Sequence, residues 1–252
     1  MTVRTVTHGT VLVVCIDRPQ VRNAIDEPTA RAIGAAMEDL DSRDDLSAAV
    51  LTGAGGYFCA GMDLKAFLAG QRPAVPGRGF AGIVERPPDK PIVAAVEGPA
   101  VAGGFEIALA CDLIVAAETA SFGLPEVRRG LMAAGGGLLR LPHRVPYHLA
   151  MEWILTGASV DAPTAYRAGL VNRLVPQGES LDCALRLAEA VAANGPLAVR
   201  ESKRVVIESA GWPADEAFDR QRAIYAKVRG SADAREGALA FTEKRPPVWR
   251  GR

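Results

Sequence analysis

Apolar and polar positions follow two regimes along this chain. Up to about residue 117, short runs that are almost wholly apolar alternate with stretches of helical spacing; from about Leu181 onward, one amphipathic stretch follows another. Val11 to Ile16 is rich in β-branched residues and follows the turn His8-Gly9-Thr10, which predicts a hairpin with Val3 to Val6. Ala32, Ile33, Ala36, Met37 and Leu40 recur at helical spacing behind Asp26 and Glu27, which predicts a helix over 28–40 with acidic residues at its N-terminus. Strands are expected at 48–52, 92–96 and 113–116. Each is apolar throughout, as in sheets covered on both faces. Pro73, Pro76 and Gly77 mark 71–78 as a loop of the kind that often gates a site.

Helices are expected at 181–193, stopped by Asn194-Gly195-Pro196, and at 197–209, 213–228 and 232–242. The chain therefore divides into an α/β core over 1–192 and a helical region over 193–252. Two fates suit the aromatics between Phe241 and Trp249: packing on another subunit, or folding back onto their own domain.

With 252 residues, 49% of them hydrophobic, the chain can build one large core. Twenty-nine basic residues balance twenty-nine acidic ones, so no net field draws it to nucleic acid or to an anionic membrane. Cys15, Cys59, Cys111 and Cys183 are widely spaced in apolar runs, which suits free buried thiols and neither disulfides nor zinc. No secretory h-region opens the chain and no stretch has the length of a membrane span, so a soluble, cytoplasmic protein is expected.

The chemistry concentrates in two segments. Gly103-Gly104 precedes the apolar run 105–109 and looks like a helix start, where free N–H groups favour negative charge; Glu106 follows within that apolar run. Glu126 follows Pro125 after Ser121-Phe122-Gly123-Leu124, and Gly135-Gly136-Gly137 lies behind it. Each feature has a plainer reading: tight backbone packing for the glycines, a buried ion pair with Arg128 or Arg129 for Glu106, a solvated acid or helix cap for Glu126. Gly77-Arg78-Gly79-Phe80-Ala81-Gly82 matches a dinucleotide-binding pattern, but no strand precedes it, so the match is read as accidental. His143 and His148 lack metal-ligand spacing and are read as structural.

Taken in order, several motifs bear a family resemblance: Asp17-Arg18-Pro19 with Asn23-Ala24-Ile25; 58–65, Phe58-Cys59-Ala60-Gly61-Met62-Asp63-Leu64-Lys65; Pro91 to Gly98; Ala102-Gly103-Gly104-Phe105-Glu106; Ala110-Cys111-Asp112; Phe122-Gly123-Leu124-Pro125-Glu126; Gly157 with 165–171; and Phe241 to Arg245. Over nearly its whole length the chain resembles the enoyl-CoA hydratase/isomerase (crotonase) family. The resemblance implies a spiral of ββα turns with a C-terminal helical trimerisation region, assembled as a homotrimer or as a hexamer of two trimers. It implies an acyl-CoA thioester substrate whose carbonyl oxygen is held by the backbone N–H groups of Met62 and Gly103, with Glu106 and Glu126 at the two catalytic carboxylate positions of the hydratases. Coenzyme A is then part of the substrate, and neither a cofactor nor a metal is expected.

For the CoA moiety the same resemblance points to Arg22, Ala24, Ala60, Asp63, Leu64, Lys65 and Lys244, with Lys244 reaching from the same or a neighbouring subunit; Asp63 is also read as the cap of a helix starting near Leu64. Phe67, Phe80, Phe105 and Leu131 are the expected acyl-pocket residues. The expected activity is hydration of a 2-enoyl-CoA or the reverse dehydration of a 3-hydroxyacyl-CoA. Its rivals are a double-bond isomerase using one carboxylate or another crotonase-type acyl-CoA enzyme, and a CoA-binding scaffold without turnover. One departure bears on specificity: relatives often carry a proline in the turn after Glu126, where this chain has Gly130-Leu131-Met132-Ala133-Ala134.

Overall fold

Residues 2–251 are described by the structure, a computed structural model. The hairpin forms as expected: β1 (Val3–His8) pairs antiparallel with β2 (Val11–Ile16) across the two-residue turn Gly9-Thr10. Helix α1 (Glu27–Ser42) follows, capped by the Asp26 carboxylate, which accepts from Thr29 N–H at 2.9 Å. Then come β3 (Ala48–Gly53), the short α2 (Leu64–Leu68), β4 (Ala74–Val75), β5 (Gly79–Phe80), β6 (Ile92–Val96), β7 (Pro99–Val101), α3 (Gly103–Ala110), β8 (Leu113–Ala117) and β9 (Ser121–Gly123). The chain continues through α4 (Gly137–Arg140), α5 (Tyr147–Thr156), β10 (Val160–Asp161), α6 (Ala162–Arg167), β11 (Arg173–Val175), α7 (Ser180–Ala192), α8 (Pro196–Glu208), α9 (Ala217–Arg229) and α10 (Ala232–Glu243).

Six strands form the main sheet in the order β1-β2-β3-β6-β8-β11, parallel from β2 onward. Its apolar strands divide their side chains by the period of two. Ala49, Leu51, Ile92, Ala94 and Ala116 join the large core that includes α1, while Val11, Ala48, Val50, Val93, Ala95 and Val115 face Ala184 and Ala188 of α7. Both faces are thus covered, which is why these strands read as unbroken apolar runs.

After each central strand the chain turns and adds a short rung to a second stack. Cys59 bridges Ala100, β7 pairs with β9, and β9 pairs with β10. Turn after turn, this makes the expected spiral, and it brings residues 59–62, 100–106 and 121–126 side by side. The stretch 71–78, expected as a plain loop, contains half of a small hairpin, β4 against β5. Helix α9 starts at Ala217 rather than near Pro213, because Pro213 to Glu216 form a separate turn closed by Glu216 N–H on the Pro213 carbonyl.

At the C-terminus, Trp249 folds back onto its own chain: its indole N–H donates to the Ala193 carbonyl at 2.8 Å. Phe241, by contrast, is 85% exposed. Helix α8 is fastened to the sheet by Lys203, whose ammonium donates to the carbonyls of Pro88 and Lys90 and to Asp112 at 2.7 Å. Its side chain is 10% exposed, so removing the charge strands three acceptors. Lys203→Met is expected to lower unfolding free energy by about 3 kcal/mol, read as a lower urea midpoint with an unchanged m-value.

Candidate active site

Helix α3 is buried at every one of its eight positions, Glu106 included. Its entry is forced: Ala102 caps it at φ 53 and ψ −128, a conformation that costs a non-glycine residue about 1–3 kcal/mol. The Ala102 N–H is fixed by the Gly123 carbonyl at 2.8 Å, and the Ala102 carbonyl accepts from Phe105 and Glu106. The backbone is thereby turned so that Gly103 N–H, the first of the helix, donates to no backbone carbonyl among the described residues.

Met62 N–H likewise donates to none, although its neighbours are tied down: Ile25 N–H donates to Gly61 O at 2.8 Å and Asp63 N–H to Ile25 O at 2.9 Å. Gly61 joins the two free donors. It has φ +88, and a Cβ added there would lie 3.0 Å from Gly103 N, so glycine suits both the left-handed backbone and the close approach of the two segments. Two uncommitted amides on adjoining backbone segments, one of them at the start of a buried helix, make an anion-stabilising pair.

Glu106 is 4% exposed and forms no ion pair with Arg128 or Arg129. Instead its Oε1 accepts from Gly137 N–H at 2.9 Å. Burial pushes its carboxyl above the ordinary carboxylate range, and the amides of Gly137 and Gly135 and the charge of Arg140 pull the other way. Glu126 lies on the 3-10 turn Pro125–Arg129 directly after β9. Burial raises its carboxyl as well; its own backbone amide opposes this, and the Glu106 charge adds to the rise. Its Oε2 is buried with no hydrogen-bond partner among the described residues. Two carboxyls thus share one half-buried site, close enough for one to resist ionisation of the other.

The segment 127–136 joins them. Glu126 stands at one end, and at the other a Cβ on Gly135 would fall 2.5 Å from Glu106 Oε2. Sequence reasoning marked this glycine run without a role; its function is to let the backbone lie against the acid. Leu131, tied to the Glu126 carbonyl through its N–H, and Met132 are 61% and 65% exposed on this segment.

Of the expected acyl-pocket residues, Phe80 sets its ring against Gly103, where a Cβ would come within 2.4 Å of it, and Phe67 is half exposed on α2. Phe105 departs from expectation. It is 1% exposed and packs on Phe122, ring centroids 5.3 Å apart, so it is core and presents no free face.

The residues expected to meet CoA mostly gather. Arg22 accepts Ala60 N–H on its carbonyl at 3.0 Å and holds its guanidinium 5.7 Å over the Tyr57 ring; Ala24 lies two residues on. Asp63 caps α2 through the amides of Lys65 and Ala66 and pairs with Arg18 at 3.1 Å, and Leu64 and Lys65 follow it, exposed. Arg18 also pairs with Asp26 at 2.9 Å, a fastening between α1 and α2 that the motif Asp17-Arg18-Pro19 flagged only by resemblance. Lys244 ends α10 in a left-handed conformation, and no hydrogen bond or ion pair joins it to this cluster among the described residues. Of the dinucleotide-like glycines, Gly77 lies in the β4–β5 turn, Gly79 starts β5 and Gly82 follows it, and they lead into no helix.

A family model described as enoyl-CoA hydratase/isomerase matches residues 6–252. The chain belongs to that family. It is 44% identical to the enoyl-CoA hydratase EchA19 of Mycobacterium tuberculosis, over 97% of this chain and 95% of that protein. It is 43% identical to a carnitinyl-CoA dehydratase of Salmonella paratyphi A, over 97% of each chain. The crystal structure of enoyl-CoA hydratase EchA1 from Mycobacterium marinum superposes with a TM-score of 0.98 at 52% identity, covering 100% of this chain and 99% of that one. The crotonase-like fold expected from the motifs is therefore the fold of this member.

Two outcomes follow for the acids. Gly135→Ala is expected to lower kcat/KM about 100-fold by displacing Glu106 while the far-UV circular dichroism is kept; an unchanged rate would mean that the turn does not position the acid. Because the folded state raises the Glu126 carboxyl, the stability tied to it is present below the unfolded carboxylate range and is lost as pH rises through the folded value. Glu126→Gln is therefore expected to melt higher than the parent at alkaline pH, with the advantage shrinking in acid, as read by calorimetry across pH.

Proposed function

We propose that this family member is an enoyl-CoA hydratase, a carbon–oxygen lyase that adds water syn across the double bond of a 2-enoyl-CoA or removes it from the 3-hydroxyacyl-CoA. The observation that carries the reading is the pair of carboxyls Glu106 and Glu126, the charge of the first adding to the raised carboxyl of the second, beside two uncommitted backbone amides. The named activities of the relatives, enoyl-CoA hydratase and carnitinyl-CoA dehydratase, are the two directions of such a reaction.

In the forward direction the thioester oxygen accepts hydrogen bonds from Met62 N–H and Gly103 N–H. Water lies between the acids. Glu106, as the carboxylate that accepts from Gly137 N–H, takes a proton from the water as the water oxygen bonds to Cβ, and the π electrons move onto the thioester as an enolate. Glu126, kept protonated by burial and by its neighbour's charge, delivers its proton to Cα and the C=O re-forms. One O–H bond of water is broken; a C–O and a C–H bond are made. The proton on Glu106 returns to Glu126 or to solvent, so the cycle needs no further reactant.

Arg22, Ala24, Ala60, Leu64 and Lys65 form the edge along which the CoA moiety lies, with Asp63 holding the local backbone rather than touching the ligand. Lys244 meets the nucleotide from a neighbouring subunit in the homotrimer or hexamer. Self-association is supported by apolar side chains open on the C-terminal helices, Val206 at 73%, Phe218 at 71% and Phe241 at 85% exposure.

Hydration is tested by following loss of the conjugated thioester absorbance in the parent, Glu106→Gln and Glu126→Gln. Each variant is expected to lose roughly 10² to 10⁴ in kcat while still binding the thioester. A Glu126→Gln variant that hydrates normally, or one that shifts the double bond as fast as the parent, would favour the one-carboxylate isomerase.

A further inference from the structure

One half-buried guanidinium, that of Arg140, stands directly behind the glycine turn that meets Glu106. The Arg140 N–H closes that turn on the Gly136 carbonyl at 2.9 Å, and the side chain then doubles back over it, so that a Cβ on Gly136 would collide with Nη1. Nη2 donates to the Val84 carbonyl at 2.5 Å. Val84 N–H in turn donates to the Phe80 carbonyl at 3.3 Å, and the Phe80 ring is the one set against Gly103. A single side chain therefore ties the turn that holds the acid to the segment that backs the Gly103 amide.

Charge around the two acids is sparse. Helix α4 and strand β7 pack against α3, and β7 has no titratable side chain; Glu106 faces the Glu126 carboxyl from the 3-10 turn and the Arg140 charge from α4. No ion pair joins Arg140 to Glu106 or to any other acid among the described residues. Its own neighbours are Arg144, the buried Cys111 thiol and Glu106. On its outer side it borders a cavity whose acids are Glu85, Asp89, Asp112, Glu201 and Glu208, but Asp112 is taken by Lys203, Glu201 and Glu208 by Arg204, and Glu85 lies over Gly79. A carbonyl fixes a guanidinium without cancelling its charge, so its field reaches Glu106. The cation beside Glu126, Arg129, is exposed and screened by solvent.

We propose that Arg140 is a positioning residue for the hydration: its side chain locks the 135–137 turn against Glu106, and its charge makes Glu106, rather than Glu126, the ionised member of the pair. The inference rests on the hydratase reading above and deepens it by naming the group that decides which carboxyl starts as the base. Two acids that share one proton need such a bias, because their mutual repulsion alone does not say which of them is charged.

The test separates charge from anchorage in the full-length enzyme. Arg140→Gln keeps a donor for the Val84 carbonyl and removes the charge; Arg140→Lys keeps both. In Arg140→Gln the acid limb of the kcat/KM profile is expected to move to higher pH, because the base loses the cation that favours its anion, while kcat at neutral pH falls about 10- to 100-fold with little change in KM. Arg140→Lys is expected to return the limb to its place. A limb unmoved in Arg140→Gln, a limb that moves as far in Arg140→Lys, or a neutral kcat like the parent's in Arg140→Gln overturns the proposal. Infrared titration of the Glu106 carboxyl, assigned by its loss in Glu106→Gln, makes the same comparison without turnover: a titration raised in Arg140→Gln supports the proposal, and an unmoved one overturns it. If the parent hydrates no enoyl-CoA, the hydratase reading falls by itself, and the infrared comparison still decides whether Arg140 sets the charge of Glu106. Should Arg140→Gln not fold, Arg140→Lys carries the test: a limb and an infrared titration at the parent's pH support the proposal, and raised ones overturn it.

Discussion

A carboxylate on a helix that is buried from end to end is the constraint around which the candidate site is organised. A charge there is costly unless its oxygen is hydrogen-bonded, and α3 supplies no partner of its own. The partner comes from Gly137, thirty-one residues away, and the approach is close: a Cβ would fall 2.5 Å from a Glu106 oxygen at 135 and 3.1 Å from one at 137. That single contact fixes where the segment 127–136 must run. It therefore also fixes Glu126 at the near end of the segment and Leu131 and Met132 in its middle.

The same economy applies to the amides. The strained cap at Ala102 and the close strand contact at Gly61 leave two N–H groups without backbone partners, which a structure selected for stability alone would have satisfied. Raised carboxyl pKa values work in the same direction: both acids are less stable as anions in the folded chain than in water, and the difference is what allows one to hold a proton while the other is charged. Local stability is given up where chemistry needs reactive groups, and the apolar sheet with α1 and α7 on its two faces supplies the compensation.

Much of the fold could be read from periodicity. The hairpin, α1, the three central strands and the helices from 180 onward lie within a few residues of where apolar spacing puts them, because burial on both faces or along one stripe leaves a strong pattern. The region 121–175 was legible only as family motifs. Its strands are two or three residues long, too short for any period, and they exist because strands earlier in the chain offer an edge to pair with. Glu106 and Glu126 could be picked out by their odd settings, but that Glu106 is held by a distant glycine amide rather than by an arginine required the turn to be seen in space. Phe105 was misplaced for the reason that makes α3 unusual. All of its faces are buried, so an aromatic beside the catalytic acid has no open side from which to meet a ligand.

The central claim is that Glu106 and Glu126 together add the elements of water across the substrate's double bond. It is tested most directly by mass spectrometry of the product formed from a 2-enoyl-CoA in water enriched in both heavy oxygen and deuterium. The account predicts a 3-hydroxyacyl-CoA with one heavy oxygen at Cβ and one deuterium at Cα. A product without heavy oxygen, in which the double bond has only moved or the carbon-bound protons have only exchanged, would contradict it.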